Sequence, residues 1–83
     1  MLAQHDNIVA SQRKSEIALR IKEARSKARL TQEQAAMLIG CSLARYHRVE
    51  RADAELTLME AEMLAKGFGV PMTYFMRQLA EYA

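Results

Sequence analysis

The stretch "LARYHRVER", residues 43–51, gathers Arg45, His47, Arg48 and Arg51 within nine positions. Arginine carries a planar, permanently charged guanidinium whose donors suit either two adjacent acceptors at once or a phosphate group. Histidine can donate or accept near neutral pH. Leu43 and Ala44, at the head of the same stretch, offer only apolar contact. Nothing with catalytic spacing accompanies these groups. His5 and His47 lie far apart without companions, Cys41 is the single cysteine, and no glycine loop could cradle a phosphate. The chemistry on offer is recognition of anions and hydrogen-bond acceptors, so an enzyme is not expected and neither a metal nor a cofactor is called for.

The charge distribution points the same way. The chain of 83 residues has a net charge of only +2. Arg13 to Arg51, however, holds ten Lys/Arg against four Asp/Glu, while the remainder holds two against six. A basic excess confined to one part of a small chain is the footprint of a polyanion-binding face, and it is also how a solvated surface reads. Met1 to Ala10 has no basic region followed by an apolar run, and no later stretch is apolar enough to span a bilayer, so a soluble, cytoplasmic protein is expected with no membrane partner. The lone cysteine fits a reducing compartment.

These side chains need elements to position them, and the composition favours helices throughout: one Pro, three Gly, and few β-branched residues that never alternate with polar ones. An all-α fold in one domain follows. Between Ser15 and Arg29, Ile17, Ile21, Ala24 and Ala28 fall on one helical stripe. Residues 1–14 read either as an extension of that helix or as an N-terminal arm, leaving 15–83 as the domain proper. Thr31-Gln-Glu-Gln34 is a capping box that opens a second helix, Gly40 can end it in the left-handed conformation, and Ser42 is placed to cap a third running to about Arg51. Thr57 with Glu60 is a second capping box, opening a fourth helix with Leu58, Ala61, Leu64, Ala65 and Phe68 inward and Gly69 at its end. Pro71 suits the first turn of a fifth, spanning 71–83, whose apolar stripe is Met72, Phe75, Met76, Leu79 and Tyr82.

Two helices joined by a three-residue turn over about 31–51 form a unit whose second member can lie in the major groove of DNA. The residue pattern sharpens this. "RIKEAR" at 20–25, "LTQEQAA" at 30–36, "IGCS" at 39–42 and "RVER" at 48–51 together resemble the lambda-repressor-like helix-turn-helix family, of the Cro and phage-repressor type, over roughly residues 17–76. "GVPMTYFM" at 69–76 is similar to that family's approach to its fifth helix. The resemblance implies a compact five-helix domain that binds double-stranded DNA as a transcriptional regulator, a repressor above all, with the third helix reading the bases.

Under that resemblance Leu43, Ala44, His47 and Arg48 form the outward, base-reading face. Arg48 could bond guanine's major-groove edge or grip a phosphate, Leu43 and Ala44 could meet thymine methyls, and His47 could contact DNA or simply face solvent. Arg45 and Arg51 suit phosphates, Ser42 caps its helix or contacts phosphate, and Gln32 matches a position that typically holds a phosphate at the start of the second helix. Tyr46, Val49 and Ile39 should be core. The resemblance also implies a structural ion pair between Arg25 and Glu50, bracing the first helix against the third. Ala35 stands where relatives usually carry leucine, and Met37 and Leu38 fall near the outer side of the second helix. Asp53 and Glu55 put negative charge where a DNA backbone would pass.

One module of this size touches few base pairs, so a homodimer on half-sites roughly 34 Å apart is expected. Met72, Phe75, Met76, Leu79 and Tyr82 are the expected dimer surface, the competing use of that stripe being closure of the monomer's own core. An alternative function is a protein-interaction module of the same fold, such as an antitoxin binding a toxin, docking a protein partner through Leu43, Ala44, Met37 and Leu38.

Overall fold

The computed structural model describes residues 2–76, with side chains from Arg13 onward; Leu79 and Tyr82, expected in the dimer surface, lie outside the described residues. Four α-helices follow one another: α1 (Leu2–Lys27), α2 (Gln32–Leu38), α3 (Leu43–Glu50) and α4 (Leu58–Phe68), and a single 3-10 turn, Met72–Tyr74, comes after them. Among the described residues there is no strand, and no helix is long and apolar enough to cross a membrane.

The helix boundaries are set locally. The Thr31 hydroxyl accepts from the Gln34 amide at 3.0 Å while the Gln34 side chain accepts from the Thr31 amide at 2.8 Å. Thr57 and Glu60 repeat the arrangement at the start of α4, at 3.1 and 3.0 Å. Ser42 accepts from the Arg45 amide at 3.1 Å and so caps α3. Each device satisfies amides that a helix start would otherwise leave unpaired. Gly40 takes φ 63° between α2 and α3, where a side chain would strain the turn.

Two turns were not visible in the sequence. The chain turns out of α1 at Arg29, φ 61°, and out of α3 at Ala52, φ 63°, both non-glycine residues in the left-handed region just beyond the helix ends. At the second, the Asp53 amide reaches back to the Arg48 carbonyl at 2.8 Å, a helix stop that normally uses glycine. The backbone bonds and the packing of Val49 impose the turn, and Ala52 bears the steric cost.

The core is where the inner faces of the helices meet. Ile21 and Ala24 of α1, Ala35 and Ala36 of α2, Tyr46 and Val49 of α3, and Leu64, Ala65 and Phe68 of α4 are all buried, and Ile39 closes the turn. Ala35 is fully buried, so its small side chain sets how closely α2 approaches the core. Gly67 does the same for α4, since a methyl there would fall 2.5 Å from Leu38 Cδ1.

Three expectations are corrected by this packing. Leu38 is not on the outer side of α2; it is partly buried against the core beside Gly67. Leu58, placed inward by helical spacing, is 70% exposed, because it sits in the first turn of α4 before that helix reaches the core. The expected fifth α-helix is, within the described residues, only the 3-10 turn, closed by i→i+3 bonds such as Phe75 N to Met72 O at 3.1 Å. Of the stretch 1–14, left open between arm and extension, the described residues 2–14 belong to α1.

Candidate nucleic-acid interface

α3 is an amphipathic helix with opposite fates for its two faces. Tyr46 and Val49 are buried, while Leu43, Ala44 and Arg48 are exposed and His47 is half-buried. Arg48 points away from the core, and among the described residues no carboxylate pairs with it. Its guanidinium donors are therefore open to an external acceptor.

Two arginine clusters hold this face in place. The first joins α1, α2 and α3. Arg25 Nε donates to Glu50 Oε2 at 2.6 Å, its Nη2 to Oε1 at 3.2 Å, and its Nη1 to the Leu30 carbonyl at 2.9 Å. The structure thus brings together the two residues of the expected structural pair. Gln32 completes the cluster, its side-chain amide donating to Glu50 Oε1 at 3.0 Å. The Glu50 side chain is only 3% exposed. Burial pushes its carboxyl upward, but the hydrogen bonds from Arg25 and Gln32 outweigh burial and hold it below the usual carboxylate range. The Tyr46 hydroxyl is buried beside this pair without a partner at hydrogen-bonding geometry, and burial raises it well above the usual phenol range.

The second cluster ties α3 to α4. Arg45 donates Nη1 to Glu60 Oε2 at 2.7 Å and Nη2 to Glu60 Oε1 at 2.8 Å, a bidentate pair, and adds a bond to the Glu55 carbonyl at 2.9 Å. Arg45, with the Thr57 amide behind it, holds the Glu60 carboxyl down to about 2. In turn the bond to Glu60 raises the Arg45 guanidinium above its ordinary value.

These contacts redistribute the expected phosphate contacts. Arg45, expected on phosphate, is committed to Glu60, the carboxylate member of the capping box that opens α4. Gln32, also expected on phosphate, is drawn to Glu50 and would have to leave it to reach DNA. Ser42 is engaged as a cap. Arg51 stays exposed, with only a loose contact to Asp53 at 3.4 Å. Glu60 is the residue that sequence reasoning missed. Its capping box was legible, but nothing in the spacing reveals that the same carboxylate serves both Thr57 and Arg45.

The expected dimer stripe is also changed. Phe75 is 3% exposed and stacks edge-to-face on Phe68 with ring centroids 6.4 Å apart, so it belongs to the monomer's core and not to a partner. Met72 packs partly against that core, and Met76 is 43% exposed. Tyr74 holds the segment to α1, with Lys27 and Arg20 over its ring at 5.7 and 5.9 Å. Among the described residues no group of three His, Cys, Asp or Glu side chains gathers as for a metal ion.

Two short helices at a Gly turn, the second buried on one face and arginine-bearing on the other, define a helix-turn-helix protein. A family profile described as a helix-turn-helix domain matches residues 16–73, more than half of the chain, and the chain belongs to that family, of the lambda-repressor-like kind. Among solved structures it is similar to an HTH_3 family transcriptional regulator from Vibrio cholerae, with 26% sequence identity and a TM-score of 0.70. That match covers 82% of this chain but only 38% of the other, so the chain corresponds to less than half of that regulator's length. No curated protein matches the sequence.

Proposed function

We propose that this domain binds double-stranded DNA as a transcriptional regulator, acting as a repressor and as a homodimer, and that it is not an enzyme. α3 enters the major groove with Leu43, Ala44, His47 and Arg48 toward the bases, and Arg51 and Ser42 toward phosphates. Gln32 joins the phosphate contacts only by exchanging Glu50 for DNA. The observation that carries this reading is the contrast within α3: Arg45 is locked to Glu60, while Arg48, one turn on, stays exposed and unpaired among the described residues. The family and the named regulator support the same reading. A homodimer must pair through surface other than Phe75.

Selection of bound sequences from a random duplex pool, followed by titration of the winner, tests the proposal. Affinity should fall steeply with salt, because neutralised phosphates release counterions. Arg48→Ala should lose ~1–3 kcal/mol on the selected site and little on random duplex. Equal loss on both would reduce Arg48 to a phosphate clamp, and absence of binding to any duplex at low salt would sink the proposal. A second reading, docking of a protein partner, draws support from Met37, which lies 75% exposed on α2. It gains if duplex binding fails and a purified complex with another protein is obtained instead.

A further inference from the structure

Glu60 makes three hydrogen bonds at once. Its Oε2 accepts from Arg45 Nη1 at 2.7 Å, and its Oε1 accepts both from Arg45 Nη2 at 2.8 Å and from the Thr57 amide at 3.0 Å. The carboxylate is therefore anchored to the backbone at the start of α4, and the guanidinium is anchored to the carboxylate. A further bond from Arg45 Nη2 to the Glu55 carbonyl, at 2.9 Å, ties the same group to the loop between α3 and α4. The carboxyl, held down to about 2 chiefly by Arg45, stays ionised throughout the neutral range, so mild acidification does not release the pair.

Arg45 nevertheless stands at the edge of the outward face of α3. It directly follows Ala44 and precedes Arg48 by three positions, a spacing that makes two helical side chains neighbours, and both Ala44 and Arg48 are exposed. The Arg45 side chain is itself 28% exposed, so it is pinned without being enclosed. A long cationic side chain at that edge, once released, could grip a phosphate beside the groove. Such a contact carries no sequence information and would strengthen binding to duplex of any sequence. Release would also remove the tie between α3 and α4, which orients Arg48 for the bases.

We infer that Glu60 is a specificity-determining positioning residue, which withholds Arg45 from DNA phosphates and so suppresses sequence-independent binding while α3 stays oriented for discrimination by Arg48. Glu60 itself touches no DNA and acts only through Arg45. The inference rests on the DNA-binding reading and adds to it a residue outside the helix-turn-helix.

The test titrates the full 83-residue chain against the selected duplex and a random duplex over a series of salt concentrations. Glu60→Gln keeps an oxygen for the Thr57 amide, so the cap survives, but sets an amide donor against Arg45 Nη1 and ends the bidentate pair. It should tighten random-duplex binding roughly two- to fivefold at low salt. Its salt slope on that duplex should steepen by about 0.9, the signature of one more neutralised phosphate. The preference for the selected duplex should narrow. Adding Arg45→Gln should return the slope to that of the parent. Glu62→Gln is the charge-matched control, since Glu62 is exposed on the same helix and enters no ion pair among the described residues. Arg45→Gln alone should leave the parent's slope unchanged, and it serves as the second variant should Glu60→Gln not fold. An unmoved slope or an unchanged preference in folded Glu60→Gln would overturn the inference. So would an equal gain in Glu62→Gln, or a shallower slope in Arg45→Gln, which would place Arg45 on phosphate already. A parent that binds neither duplex would sink the DNA-binding reading and this inference with it, whereas the other adverse outcomes sink the inference alone.

Discussion

The α2–α3 unit and the edge formed by residues 52–58 and 71–76 are built to different standards. In the first, each helix start is capped, the inner face is buried, and both arginine clusters end on carboxylates. At the second, a non-glycine residue sits at φ 63°, a leucine is left exposed, and a groove opens between elements. The difference shows what the fold protects. The orientation of α3 relative to α1 and α4 is fixed by charged hydrogen bonds, whereas the far end of α3 rests on a surface still open to apolar contact.

The sharpest way to break that contrast is Arg25→Ala. It would strand the nearly buried Glu50 carboxylate and should destabilise the domain by about 3–5 kcal/mol in denaturant titration. A loss below about 1 kcal/mol would mean that the unit does not depend on this pair. Acid should act next. Glu60 is held down to about 2, chiefly by Arg45, and Glu50 also lies below the usual range. An unfolded glutamate titrates near about 4.3, so as pH falls the unfolded chain takes up protons first. The stabilisation from these two carboxylates is therefore complete above about pH 5 and drains away toward about pH 2. Melting curves across that range should show the fall, and Glu60→Gln should flatten it.

A smaller effect of opposite sign is expected at the open edge. Ala52→Gly should raise stability by about 1 kcal/mol, since glycine takes the left-handed conformation without the side-chain clash. An unchanged or lower Tm would show that the methyl of Ala52 contributes packing that offsets the strain. Smallest of all, Met37→Lys on the outer side of α2 should leave the unfolding free energy within about 0.5 kcal/mol of the parent, as measured by the same melts. Its effect would be read instead in any loss of protein-partner binding.

Much of the fold was legible because its signals are local. The capping residues Thr31, Ser42 and Thr57, and the spacing of Ile17, Ile21 and Ala24, depend only on nearby sequence. The Arg25–Glu50 pair spans 25 positions and was reachable only through the family resemblance. What stayed hidden depends on tertiary placement. Arg45 resembles Arg48 in sequence, and only the position of α4 decides that one finds Glu60 and the other does not. Phe75 and Leu58 both lie on regular apolar stripes, yet the first is sealed by Phe68 and the second begins its helix too early to be covered. Ala52 carries no glycine to announce its turn.

The open side of Arg48 has a consequence for how such a domain can change over time. Ala44 and Arg48 contribute no side-chain hydrogen bond to the described fold, which is supported instead by Arg25, Arg45 and the residues behind them. If these two exposed positions meet DNA as proposed, substitutions there can drift in step with a changing target while the scaffold stays intact. Under the proposed DNA-binding reading, recognition and foldability fall to different arginines, and a lineage could rewrite the former many times without jeopardising the latter.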